Sequence, residues 1–149
     1  MSYLLDTNIL LRAALTNHPL NAVTVKAVNH LLSVDEELVI APQNLIESWN
    51  VLTRPQNKNG FGLSPNDAQQ EIEKLKITFT LLPDTSQVFS EWEKLVMKYQ
   101  VKGVNVHDTR LVAFMLVHKI SHILTFNTKD FQRFNSEIIV VHPDAVENQ

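Results

Sequence analysis

The sequence predicts an α/β fold, a three-layer sandwich around a central, mainly parallel sheet. Short apolar runs of strand length, such as Tyr3-Leu4-Leu5 and Glu37 to Ala41, alternate with longer segments of helical spacing. These two runs stop at Asp6 and at Pro42, and helical spacing resumes almost at once. Alternation of this kind builds parallel sheets from strand–helix–strand crossovers, whose right-handedness puts helices on both faces. The 149 residues suit one domain, expected to span 1–149.

The elements follow in order. Residues 2–6 read as a buried strand, and Thr7 to Leu15 as a helix. Asn17-His18-Pro19 breaks the pattern, and Asn21 to Leu32 resumes it with Val25, Val28, Leu31 and Leu32 in loose helical spacing. Glu37 to Ala41 is the second strand. From Gln43 a helix carries Leu45, Trp49 and Leu52 on one face. Pro55 to Leu63, with Gly60 and Gly62, is a loop. Ser64 then caps a helix with Pro65 at its first position and Asp67 in its first turn. Lys76 to Leu82 ends strand-like. Thr85 or Ser86 opens a helix whose stripe is Phe89, Trp92, Leu95, Val96 and Tyr99. Val101 to His107 is a loop, and Asp108 begins a central helix apolar on nearly every side, through about His118. His122 to Thr125 is a strand, Asn127 to Phe131 a turn or short helix, and Glu137 to Val141 a last strand ended by Pro143.

Composition narrows the chemistry. With 44% hydrophobic residues the chain has material for a core. The absence of cysteine excludes a disulfide scaffold, a thiolate metal site and a Cys nucleophile, and fits a reducing, cytoplasmic setting. No signal peptide is readable, and the longest apolar run, Leu111 to Val117, is too short to span a bilayer. A net charge of −3 disfavours nucleic-acid binding by bulk charge alone. It does not exclude an enzyme whose acids bind divalent cations, because those cations reverse the local field. Three glycines provide no phosphate loop or dinucleotide motif, and no serine-nucleophile motif occurs. None of the six histidines forms a helical His-x3-His pair with a nearby third ligand, which leaves zinc unsupported.

Four acids stand at element boundaries or on helix surfaces. Asp6 ends the first strand, where open α/β sheets bind ligands, or it simply caps the next helix. Glu47 lies roughly opposite the apolar face of its helix, beside Asn50 and Arg54, as a solvated glutamate also would. Asp108 at a helix N-terminus is either a cap or an oriented ligand. Asn127 and Asp130 follow the strand ending at Thr125 and could be ordinary turn residues. Mg²⁺ and Mn²⁺ prefer hard oxygen ligands, and such ions activate water and stabilise a leaving oxygen at phosphate centres.

Four segments occur in order: Leu4-Leu5-Asp6-Thr7-Asn8-Ile9-Leu10, Leu45-Ile46-Glu47-Ser48-Trp49, His107-Asp108-Thr109-Arg110-Leu111, and Leu124-Thr125-Phe126-Asn127-Thr128-Lys129-Asp130-Phe131. Together they resemble the motifs of the PIN-domain family over essentially the whole chain. The resemblance implies a PIN-like fold with an acidic pocket for Mg²⁺ or Mn²⁺, and endoribonuclease activity. Small stand-alone members are commonly VapC-like toxins, homodimeric and paired with an antitoxin. By position, Asp6, Glu47 and Asp108 match the three core acids, with Thr7 or Asn8 as the supporting polar residue. Asp130 is assigned as the fourth catalytic acid, and Asn127 stands where many members carry an acid. Metal binding is expected at Asp6, Asp108 and Asp130.

The expected activity is therefore metal-dependent RNA cleavage, as the toxin of a toxin–antitoxin pair. The competing reading is a PIN-fold binding protein that has lost catalysis, motivated by Asn127; a DNA nuclease ranks third. Arg12, Arg54, Lys58, Arg110, Lys129 and Arg133 are the candidate backbone contacts. Arg54 and Arg110 rank first, because arginine holds phosphate bidentately. Trp49, Trp92 and the phenylalanines are expected in the core.

Overall fold

A computed structural model describes residues 1–148 and places five strands in one sheet of order β3-β2-β1-β4-β5. These are β1 (Ser2–Leu5), β2 (Glu37–Ile40), β3 (Thr80–Leu81), β4 (His122–Leu124) and β5 (Ile139–Val141). Every pairing is parallel, so the sheet is wholly rather than mainly parallel. Strand β1 takes β2 on one side and β4 on the other, so the chain changes direction of growth beside β1. A crevice opens there, at the carboxyl ends of the strands.

The helices are α1 (Thr7–Ala14), α2 (Asn21–Ser33), α3 (Pro42–Thr53), α4 (Pro65–Thr78), α5 (Ser86–Lys98), α6 (Asn105–His118) and the single turn α7 (Thr128–Phe131). Strand alternation divides the core into two layers. Tyr3, Leu5, Leu38, Ile40 and Leu124 pack with α1 and α2. Leu4, Val39, Ala41 and Ile123 pack against α5 and α6 on the other face. Each fully buried Leu, Ile or Val there contributes about 1.5–3 kcal/mol of transfer free energy. A third, smaller core joins Leu11 and Leu52 to Ala68 and Ile72, holding α3 and α4 as a hairpin against α1.

Helix starts follow local chemistry. Ser64 Oγ accepts from the Asp67 N–H at 3.1 Å, as its cap position requires. Pro42 does not merely end β2; it is the first residue of α3, where its missing N–H costs nothing. The Asn44 side chain accepts from the Ala41 N–H at 2.8 Å and secures that start. Helix α6 begins three residues before the expected Asp108, because residues 105–107 already turn. It ends at Lys119, whose left-handed φ of 58° closes the helix.

Two further expectations are corrected. Phe89 is 62% exposed, and the buried positions of α5 are Val88 and Leu95. Phe89 stacks on Trp92, whose indole N–H donates to the Val106 carbonyl, so this aromatic pair lies over the edge of the core. The loop after α3 is more ordered than its composition suggests. Gln56–Lys58 form a 3₁₀ turn, and the Phe61, Gly62 and Leu63 N–H groups donate back to Val51, Arg54 and Leu52. Among the described residues no helix is long and apolar enough to cross a membrane.

Candidate active site

The site grows from the register between β1 and β4. Leu5 pairs with Leu124, so the next residues, Asp6 and Thr125, emerge side by side on the same face. Thr125 Oγ1 donates to Asp6 Oδ2 at 2.6 Å. The Thr7 N–H donates to Asp6 Oδ1 at 2.8 Å, and Asn8 Nδ2 approaches Oδ2 at 3.4 Å. Asp6 is therefore both the N-cap of α1 and an acid aimed into the crevice. The cap reading of this residue holds, and it leaves the carboxylate facing the crevice. Burial is the largest influence on its carboxyl and raises its pKa; the Thr125 and Thr7 hydrogen bonds oppose that, while Glu47 and Asp130 add to it.

Glu47 is held from the other direction. Thr7 Oγ1 donates to Glu47 Oε1 at 2.9 Å, and buried Asn44 Nδ2 donates to Thr7 Oγ1 at 3.2 Å. Asn44 spends its oxygen on the Ala41 N–H, so its amide orientation is fixed and the Thr7 hydroxyl is left to donate. This relay ties α3 to the start of α1. Glu47 is thus a positioned group and not a freely solvated one.

Asp108 sits within the first turn of α6 and does not cap it; the cap position is Val104. Its carboxyl has no hydrogen-bond donor among the described residues. Desolvation, with the charges of Asp6, Asp130 and Glu47 after it, pushes its pKa up to about 7. Asp130 is exposed on α7, with its N–H turned back to the Asn127 carbonyl. Asn127 is also exposed, and its N–H donates to Thr125 Oγ1 at 3.0 Å. Thr125 thereby links the loop before α7 to Asp6, and Asn8 Oδ1 accepts from the Phe126 N–H at 3.5 Å.

The fold thus brings Glu47 and Asp130 within electrostatic reach of both Asp6 and Asp108, and among the described residues no basic group acts on Asp6 or Asp108. Among the described residues no three His, Asp or Glu side chains are disposed to hold an ion as they stand. The acids share a field without meeting at a point. The donor set nevertheless suits a hard divalent cation: oxygen ligands only, one carboxylate rigidly oriented and another without any donor. Burial first, and repulsion among the acids after it, raise the Asp6 and Asp108 carboxyl pKa values.

The arginines are placed less simply. Arg110 Nη1 donates to Gln43 Oε1 at 3.1 Å, and its Nη2 lies 3.3 Å from Asp84. With Glu47 and His107 these residues line a cleft of about 390 Å³. Arg54 closes α3, and its Nη2 donates to the Asn59 carbonyl at 2.9 Å, within the loop that follows. Lys58, Lys129 and Arg133 are exposed. His118 and His122 are four residues apart, but the helix ends between them and they share no face.

Sequence reasoning missed Asn44 and Thr125 as site residues. Neither carries a charge, and Thr125, though within the fourth motif segment, stands beside the acids there without being one. Parity with Asp6 across the β1–β4 register was the one clue to Thr125.

Comparison with known proteins agrees with this fold. The PIN domain pattern matches residues 3–136. VapBC-1 from nontypeable Haemophilus influenzae superposes with a TM-score of 0.69 at 22% identity, covering 97% of this chain and 99% of that one. VapBC2 from Rickettsia felis, bound to a DNA fragment from its promoter, gives 0.70 at 16%, covering 95% and 98%. Mycobacterium tuberculosis VapC20, a toxin that cleaves the sarcin–ricin loop, gives 0.62 at 13%, covering 92% and 96%. No curated protein sequence matches this chain.

Proposed function

Because this chain belongs to the PIN-domain family, we propose that it is a metal-dependent endoribonuclease. The convergence of Asp6, Glu47, Asp108 and Asp130 at the crevice beside β1 carries this reading. Asp6, Asp108 and Asp130 would hold Mg²⁺ or Mn²⁺. When bound, such an ion supplies Lewis-acid activation of a water and offsets charge on the phosphate.

The remaining steps belong to the chain's own residues. Thr125, Thr7 and Asn8 fix the Asp6 carboxylate, so that it needs no reorganisation when substrate arrives. Glu47 receives the Thr7 hydroxyl at Oε1 and keeps Oε2 available to accept a proton from the attacking water. Attack in line at phosphorus forms the new P–O bond to the water oxygen and breaks the bond to the 3′ oxygen, which takes up a proton from solvent water as it leaves. Asn127 offers a neutral amide at the rim.

Asp6→Asn keeps the shape of the side chain and removes its charge. With Mn²⁺ and a single-stranded RNA, wild type should cleave and Asp6→Asn should be slower by at least about a hundredfold, the scale of losing a charge at a phosphoryl-transfer site. Equal rates would end the assignment of Asp6.

The likeness to VapBC and VapC20 structures supports the further reading that this is the toxin of a toxin–antitoxin pair; that it is a homodimer in the cytoplasm is our added proposal. Growth arrest on expression, relieved by a small protein encoded alongside, is the expected outcome. Light scattering that shows monomer only would remove the dimer from this account.

A further inference from the structure

A second cleft, of about 700 Å³, lies between the loop after α1 and the loop after α3, and its lining mixes polar side chains with Leu15, Phe61 and Leu63. That volume falls within the range of ligand sites. Arg12, Asn17, His18, Gln56, Asn59 and Phe61 are among its lining residues, and no carboxylate is. The Arg12 guanidinium has no ion-pair or hydrogen-bond partner among the described residues, although the residue is half-buried. The Leu20 N–H donates to His18 Nδ1 at 3.0 Å, so in the neutral ring the proton is on Nε2, which becomes a donor. Phe61 is only half-buried and has ring area left for stacking. The cleft is thus rich in donors, free of acids and edged by an aromatic ring.

Its wall is built rather than incidental. The loop after α3 is pinned by Arg54 Nη2 to the Asn59 carbonyl and by the Gly60 N–H to the Pro55 carbonyl. Gly60 packs so closely that a Cβ there would lie 1.9 Å from the Arg54 carbonyl oxygen.

Its position relates it to the acids. Helices α1 and α3 touch each other and follow neighbouring parallel strands, so both leave the same edge of the sheet. Asp6 precedes α1 and Arg12 is in its last turn; Glu47 is midway along α3 and Arg54 closes it. At 1.5 Å per residue, each acid-to-arginine span is about 10 Å along its helix. One nucleic-acid strand engaged by the acids can therefore reach the cleft within a few nucleotides.

We propose that this cleft binds a flanking nucleotide of the RNA strand, with Arg12 and His18 on its phosphate and Phe61 under its base. The proposal rests on the ribonuclease reading, whose acids would engage the same strand.

The test is equilibrium binding of a labelled twelve-nucleotide single-stranded RNA, by fluorescence anisotropy with EDTA present to keep the strand intact. Wild type, Arg12→Gln and Phe61→Leu are compared across a salt titration. Arg12→Gln should bind about tenfold more weakly at low salt, the scale of one charge-assisted contact. Its slope of log affinity against log salt should be shallower by about 0.7, one single-strand phosphate. Phe61→Leu should weaken binding about fivefold or more with the slope unchanged, as for a lost base stack. Should Phe61→Leu unfold, the Arg12→Gln slope still decides. If wild type binds and Arg12→Gln matches it in affinity and slope, the subsite is overturned while the ribonuclease reading stands, and the cleft is left to a protein segment. If wild type neither binds nor cleaves RNA, both fall together.

Discussion

At the residue scale, the site depends on neutral side chains that aim charged ones. Thr125 is fully buried and donates one short hydrogen bond to Asp6 while accepting another from Asn127. Thr125→Val keeps shape and volume and deletes both. Groups one step removed from a metal or reacting centre typically affect activity by about 10–100-fold when lost. Cleavage should fall by that factor while unfolding free energy falls by only about 1–2 kcal/mol, measured by urea titration alongside turnover. Unchanged turnover would show that Asp6 is oriented by its helix alone.

Asp108 offers a prediction of opposite sign. Its carboxyl titrates near pH 7 in the folded protein, above its ordinary 3.8. Below about pH 4 both folded and unfolded chains hold the proton, and the group has no effect on stability. Between about 4 and 7 the folded chain holds a proton that the unfolded chain has released, so stability falls as pH rises; above 7 the penalty is constant. Without divalent cations, Asp108→Asn should therefore be more stable than wild type at pH 8. The expected gain is about 1 kcal/mol, reduced from the full linkage value because water still screens a half-buried carboxyl. The gain should vanish near pH 4. An equal difference at both pH values would mean that ionising a carboxyl disfavoured by burial and by its acidic neighbours is not its source.

At the scale of elements, most of the architecture was legible because apolar spacing and caps are local signals. Ser64-Pro65-Asn66-Asp67 announced α4, and Asp6 announced the turn from β1 into α1. Three things were not legible. Asp108 read as a helix start because it precedes the apolar run, yet residues 105–107 already complete the turn without a side-chain cap. Phe89 read as core because hydrophobicity ignores which neighbour covers a face; Val88 takes the buried position. The loop after α3 read as irregular because its order comes from backbone groups returning to the end of α3. The four acids were singled out by motif order, but the Asn44–Thr7–Glu47 relay depends on packing between α1 and α3 that no local pattern encodes.

That loop carries its own prediction. Gly60 is required for close approach, not for an unusual φ, since a Cβ would fall against the Arg54 carbonyl oxygen and carbon, both backbone atoms. Backbone cannot rotate away as a side-chain tip can. Gly60→Ala should cost about 2–3 kcal/mol, the scale of overpacking. It should also raise amide exchange at residues 56–63 more than in β1 or β4, read by hydrogen–deuterium exchange. Protection that stays unchanged across the loop would contradict the close packing.

At the scale of the whole molecule, the sheet, its two helical layers and the switch of strand order beside β1 serve to bring separated acids together. Asp6 and Asp130 are 124 positions apart in the sequence, yet each raises the electrostatic cost of ionising Asp108. A cation bound among these acids should offset that cost, and the relief is measurable without any substrate. A ligand that binds only the folded state at about a hundred times its Kd adds about 2.7 kcal/mol. For a chain of this size that raises Tm by about 5–10 °C. Mn²⁺ should produce such a shift in wild type at pH 8. The shift should shrink as pH falls through 7 and Asp108 takes up its proton. Asp6→Asn should lose most of it, while Glu36→Gln, at the amino end of the strands beside the N-terminal amine, should keep it. A shift of the same size in Asp6→Asn would mean that the cation binds elsewhere, and the crevice beside β1 would have to be abandoned as the metal centre.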